Sequence, residues 1–159
     1  MLRNRIEAAL EQVQKPAVYI GGELHSVVKP KGEVDLRFAF CFPDTYEIGM
    51  SHLGMKILYG LMNRREGIWC ERVFMPWKDM LEQMEQRKIP LYALESLDPV
   101  AAFDIIGFTL QYELCYTTVL KMLELAGIPL LASDRTELRQ LVIAGGPCTY
   151  NPEPLADMV

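Results

Sequence analysis

Four short apolar runs separated by stretches with helical spacing constrain this chain more than any other feature. Leu36–Phe42 (LRFAFCF), residues 69–75, residues 104–110 (DIIGFTL) and Leu141–Gly145 (LVIAG) are nearly continuous in apolar side chains, as strands buried on both faces must be. The intervening segments read as helices. One runs from about Ser51 to Arg64, with Leu53, Ile57, Leu58 and Leu61 on one face and Ser51 as its N-cap. A second starts at Pro76 and turns Trp77, Met80, Leu81 and Met84 inward. The third covers residues 112–126, with Tyr116, Val119, Leu120 and Leu123 at helical spacing, and stops at Gly127 with Pro129 beyond. Strands joined by helical crossovers lie parallel, so the expected fold is α/β.

The expectation is an open, doubly wound parallel sheet of the flavodoxin-like or Rossmann-like kind, whose full form has strand order 2-1-3-4-5. Four principal strands are legible, so the last strand and helix are expected beyond residue 159 and the chain is read as a fragment. Residues 1–33 form an appendage: a helix over residues 2–14 ended by Pro16, then a hairpin pairing residues 18–20 with 24–28 around Gly21-Gly22-Glu23. Residues 34–159 form the main domain, with a short extra strand at 91–94 and a helix beginning at 154–159. A chain of 159 residues suits one domain with a core of its own.

Composition narrows the function. Half the residues are apolar and the net charge is −5. Such a chain is not disordered, and without a Lys/Arg cluster it lacks the surface for bulk nucleic-acid binding. No run approaches the ~20 apolar residues of a membrane span, and the charged N-terminus lacks the pattern of a signal peptide. The expected compartment is therefore the cytoplasm. Cys41, Cys70, Cys115 and Cys148 are far apart and form no zinc or iron–sulfur motif. They read as buried thiols.

In a doubly wound sheet, ligands bind beyond the carboxyl ends of the strands. Three segments meet there. The first loop carries Asp44, Glu47, Gly49, Ser51 and His52; the third strand ends in Thr109-Leu110-Gln111-Tyr112-Glu113; the fourth ends in Gly145-Gly146. Gly49 and the glycine pair would let backbone approach a ligand closely. His52, alone in a helix's first turn, reads as a surface or packing residue. No GxGxxG or GxxxxGK[ST] pattern names a nucleotide. The first loop is not the Ser/Thr/Gly-rich phosphate loop of an FMN carrier, and Thr109-Leu110 stands where a phospho-receiver needs an aspartate.

These segments resemble the cobalamin-binding domain found ahead of radical SAM domains, whose pattern is DxHxxG, then SxL, then GG. Asp44-Thr45-Tyr46-Glu47-Ile48-Gly49 matches the first with Tyr46 in the histidine's place, Thr109-Leu110-Gln111 stands for the second, and Gly145-Gly146 for the third. PDTYEIGMSHLGMKILYGLMN, ERVFMPWKDM, FDIIGFTLQYELCYTTVLKMLELAGIPLL and AGGPCTYNPEPLADMV are similar to the N-terminal part of an uncharacterised family of B12-binding-domain-containing radical SAM proteins. The resemblance implies a cobalamin-binding-like domain with Tyr46 near the corrinoid's lower face and Thr109, Gly145 and Gly146 around its nucleotide tail. It equally allows a domain that has lost cobalamin and only shapes or caps its neighbour's active site. With Ser51 and Gln111 from the loops themselves, the candidate cofactor-binding residues are Asp44, Tyr46, Gly49, Ser51, Thr109, Gln111, Gly145 and Gly146. The implied partner is a downstream radical SAM domain of the same polypeptide. The implied [4Fe-4S] cluster and S-adenosylmethionine belong to that domain, so no catalytic residue is expected in this chain. A purely structural interaction domain is the remaining reading.

Overall fold

The strands lie where the apolar runs place them. In the computed structural model, which describes residues 1–137 and 139–159, β1 (Leu36–Phe42), β2 (Ile68–Phe74), β3 (Ile105–Thr109) and β4 (Leu141–Gly145) form one sheet in the order β2-β1-β3-β4. Every pairing is parallel, with Phe38 opposite both Cys70 and Ile105, and Ile105 opposite Leu141. The expected open, doubly wound, flavodoxin- or Rossmann-like sheet is therefore present, with four strands.

Strand pleating assigns alternate residues to two faces. On one face, Ala39, Cys41, Val73, Ile106, Phe108 and Val142 pack with Met80 and Met84 of α4 (Lys78–Arg87) and with Val119, Met122 and Leu123 of α5 (Tyr116–Ala126). Ile6 and Ala9 of α1 (Leu2–Leu10) complete that core. Each fully buried Val, Leu, Ile, Phe or Met side chain there contributes about 1.5–3 kcal/mol. Gly127 ends α5 at φ +70, the left-handed terminator its position implies. On the other face a smaller cluster joins Phe40, Phe42, Cys70 and Phe74 to Met55 and Tyr59 of α3 (Leu53–Asn63).

Several expectations are corrected. The helix after β1 is two helices, α2 (Tyr46–Ser51) and α3, so Ser51 closes α2 instead of capping α3. The N-cap is His52, whose extended backbone (φ −78, ψ 113) frees its ring Nδ1 to accept the Met55 N–H. Leu53, Ile57, Leu58 and Leu61 are exposed; Met55, Tyr59 and Asn63 face the sheet instead. Trp77 is also half exposed. Residues 113–115 form a tight 3-10 turn ahead of α5 because Tyr112 stays extended. Residues 91–94 form no strand; their one bridge is Tyr92 to Pro99. A single 3-10 turn, Glu153–Leu155, stands where the last helix was expected to begin.

The hairpin is also absent. After α1, which ends earlier than expected, comes a 3-10 turn at Pro16–Tyr19, and the following segment lies against the outer edge of β2. Val27 N–H donates to Tyr59 Oη (2.7 Å), Val27 O accepts Trp69 Nε1 (2.9 Å), and Lys29 Nζ donates to Ile68 O (2.5 Å). The Asn63 amide pairs with the Cys70 backbone at 2.9 and 3.0 Å. Glu95 accepts the Arg72 N–H, and Leu94 N–H donates to Arg72 O. Side chains and loops thus complete the β2 edge, which a self-paired hairpin would leave open. Ile6, Ala9 and Tyr19 of residues 1–33 lie in the main core.

Two ion clusters fasten that edge. Arg37 binds Glu71 and Asp98, with Lys31 also on Asp98 and the guanidinium over Phe103 (4.2 Å). Arg72 binds Glu95 and Glu23, each at 2.6 Å. Burial pushes the Glu71 and Glu95 carboxyls up against the pull of their arginines. Among the described residues, no helix is long and apolar enough to cross a membrane.

Candidate functional site

The crossover direction reverses between β1 and β3, so the mouth between their carboxyl ends is where a doubly wound sheet offers a site. Asp44, just beyond β1, holds the surrounding loops together. Its Oδ2 accepts Tyr112 Oη (2.6 Å), its Oδ1 accepts Thr45 N–H, and its carbonyl accepts Met75 N–H. The ends of β1, β2 and β3 are thereby tied to one residue. The carboxylate, aided by partial burial, pushes the Tyr112 phenol up to about 12.

A second link spans the same mouth. Met55 N–H donates to His52 Nδ1, which leaves the ring proton on Nε2, facing Gln111 Oε1 at 3.1 Å. Gln111 Nε2 donates in turn to Thr109 Oγ1 (2.5 Å). Phe42 packs against the His52 ring at 5.4 Å. Both ring nitrogens are engaged, so in this arrangement His52 has no free lone pair for a metal or for base catalysis.

Thr109 pairs with Gly145, Leu110 N–H donates to Gly145 O (2.7 Å), and Gly146 continues beside Leu110. Gly146 adopts φ +109, and a Cβ there would sit 2.7 Å from Leu110 O. Conformation and close backbone contact both require glycine at that position. Gly145 is different, being exposed with open space around its Cβ position. Beside it, Leu110, Tyr116, Val142, Ala144 and Leu155 line an apolar groove of about 380 Å³.

Asp44, Thr109, Gln111, Gly145 and Gly146 therefore gather at the mouth, together with His52. Tyr46, Gly49 and Ser51 have their contacts elsewhere. Tyr46 Oη donates to Glu23 Oε1 (2.9 Å), whose other oxygen binds Arg72, and its ring packs edge-on against Phe74 on β2. Burial and the Glu23 carboxylate raise the Tyr46 phenol to about 12. The Glu23 carboxyl lies below the usual range: burial works to raise it, but its own backbone N–H and Arg72 outweigh that effect. Gly49 is buried where a Cβ would overlap the Phe74 ring, so packing accounts for the missing side chain. Ser51 Oγ donates to Ile48 O.

Glu23 and Arg72 are the participants that sequence reasoning missed. Arg72 had a visible signal, since it and Glu71 are adjacent charges inside an apolar run. Glu23 had none, because only the fold brings the N-terminal segment to β2.

These residues do not fit a corrinoid ligated by the chain. Where the resembled pattern has a histidine, Tyr46 offers a phenol committed to Glu23 and no imidazole nitrogen, and Asp44 is committed to Tyr112. Among the described residues, no group of three or more His, Cys, Asp or Glu side chains is placed to hold a metal ion. Cys41, Cys70 and Cys115 are buried.

A family model described as "Radical SAM proteins, N-terminal" matches residues 54–159. The match takes in α3 and everything after it, including the β3 and β4 ends of the mouth, and leaves out β1 and the loop bearing Asp44 and Tyr46. No curated protein and no solved structure matches the chain.

Proposed function

The chain belongs to the family of N-terminal domains of radical SAM proteins, and from that premise we propose that it is a non-catalytic, corrinoid-free accessory domain of a radical SAM enzyme. Family membership implies S-adenosylmethionine and a [4Fe-4S] cluster in the parent protein, and the proposal assigns both to another domain. The role of residues 1–159 is to hold a rigid polar mouth against that domain and help enclose its reaction space.

The observation that carries this reading is the double closure of the mouth. Asp44–Tyr112 and His52–Gln111–Thr109 join the β1 and β3 loops, which preorganises polar groups without leaving a nucleophile or free base among them. One observation favours a corrinoid instead. The open backbone at Gly145 would suit a nucleotide tail bound without axial ligation.

The test is reconstitution of the full-length protein with iron, sulfide and hydroxocobalamin, followed by gel filtration. Cluster absorbance, 5′-deoxyadenosine formation and retained corrinoid are then measured separately. The expected result is a cluster and cleavage of S-adenosylmethionine, with no corrinoid retained by the wild type or by Tyr46→His. Stoichiometric corrinoid in the wild type would overturn the corrinoid-free reading. A protein unable to assemble a cluster or cleave S-adenosylmethionine would overturn the assignment to a radical SAM enzyme.

A further inference from the structure

The stretch ERVFMPWKDM carries a tryptophan that the core does not use. Trp77 follows the carboxyl end of β2 and is 51% exposed, whereas Trp69 within β2 is buried. A large aromatic side chain left open at the end of the sheet where doubly wound folds bind ligands needs a reason.

Trp77 lines a pocket of about 500 Å³ between the N-terminal segment, with Gln14, Lys15 and Tyr19, and the start of α4, with Lys78, Asp79 and Glu82. That volume suits a small molecule. The two sides are tied together. Gln14 N–H donates to Asp79 Oδ2 (2.9 Å), Trp77 N–H to Tyr19 Oη (3.3 Å), and Lys15 Nζ to Glu47 Oε1 (2.8 Å). Lys15 and the Glu47 backbone N–H hold the Glu47 carboxyl below its usual range, and the Trp77 indole N–H adds to that effect. The N–H edge of the indole is thus turned to Glu47, which fixes the orientation of the ring.

The same contacts decide what the pocket still offers. Lys15 is committed to Glu47, and Asp79 to the backbone N–H groups of Gln14 and Met80. The exposed side chains of Gln14, Lys78 and Glu82 remain. Glu47, Asp79 and Glu82 outnumber Lys15 and Lys78, a balance that disfavours an anionic ligand. An indole face takes a flat ring, a glutamine amide presents the donor and acceptor that a purine edge answers, and a carboxylate accepts ribose hydroxyls. The geometry points to a binding site for an uncharged purine nucleoside, its base stacked on Trp77, its edge at Gln14 and its ribose at Glu82. The site adjoins the polar mouth, since Met75 N–H donates to Asp44 O, but it stands on this pocket alone and independently of any radical SAM chemistry.

The test is photolabelling of the full-length protein with 2-azidoadenosine, with the modified residues mapped by mass spectrometry of peptides. Label should fall within residues 14–19 or 77–82 and be displaced by excess adenosine. Adenosine monophosphate should need about tenfold more to give the same protection, because its phosphate meets the surplus carboxylates. Trp77→Ala should cut labelling of these segments about tenfold or more through loss of the stack, with circular dichroism confirming an intact fold. Glu82→Lys reverses a charge on the exposed side of α4 and should keep the label while removing the discrimination against the monophosphate. Label confined to other segments, label that adenosine does not displace, or equal protection by the monophosphate in the wild type would each overturn the inference. So would labelling at these segments that survives Trp77→Ala undiminished.

Discussion

Gly49→Ala separates two explanations of the same residue by the sign of its effect. If Gly49 served only to bring backbone near a ligand, alanine would add helix propensity to α2 and stabilise the protein by up to about 1 kcal/mol. The structure predicts the reverse. An added Cβ overlaps the Phe74 ring and lies 3.2 Å from Phe42 Cδ1. The ring has little room to retreat, because Phe74 is buried and Tyr46 packs edge-on against it at 5.4 Å. Overpacking of this kind costs about 1–3 kcal/mol, and the propensity gain recovers only part of it. The expected net loss is about 1–2 kcal/mol, with Tm lower by roughly 2–4 °C per kcal/mol for a chain of this size. Urea and thermal unfolding followed by circular dichroism measure it. Phe74→Leu in the alanine background should restore part of the loss, giving a coupling energy of about 0.5–3 kcal/mol. A rise in Tm for Gly49→Ala, or strict additivity with Phe74→Leu, would refute the packing explanation.

Arg72→Met should destabilise the fold by about 3–5 kcal/mol, because it leaves the Glu95 carboxylate buried without its cation. Adding Glu95→Leu should recover part of the loss in urea titrations, limited by the Arg72 backbone N–H that Glu95 also accepts. At the glycine pair, Gly145→Ala should change stability by less than about 0.5 kcal/mol, whereas Gly146→Ala should cost about 1–3 kcal/mol for its backbone conformation. Equal thermal shifts for the two would contradict the placement of Leu110 O. For Asp98, burial works to raise the carboxyl but Lys31 and Arg37 outweigh it, so it stays below its ordinary 3.8. A lowered carboxyl stabilises the fold above its unfolded value and loses that contribution as pH falls through its folded one. The stability advantage of wild type over Asp98→Asn should therefore hold above pH 3.8 and shrink below it in acid unfolding curves. An advantage that grows on acidification would reverse the sign.

Particular elements show how far sequence reasoning reached. All four strands were legible as near-continuous apolar runs, a signal carried by neighbouring residues, although one face of β4 is exposed in the structure. The α5 terminator at Gly127 was legible for the same local reason. The α3 orientation was not. Its most apolar arc, from Leu53 to Leu61, is exposed while Met55, Tyr59 and Asn63 are buried, and apolar spacing by itself does not say which side of a helix meets the sheet. The hairpin failed similarly, since the Val27 backbone bonds Tyr59 and Trp69 where a hairpin would give it a partner in residues 18–20.

At the mouth, the alternation of strands and helices was enough to bring Asp44, Thr109, Gln111 and the glycine pair to one end of a parallel sheet, because crossovers put the carboxyl ends of all strands together. Where each side chain then pointed was decided by contacts between residues distant in the chain. Tyr46 turned to Glu23 and Phe74, Asp44 to Tyr112, and His52 to Gln111. Local patterning determines which segments are buried and in what order they connect. The choice of hydrogen-bond partner, and with it the difference between an open cofactor cradle and a closed polar mouth, arises only once those segments are packed.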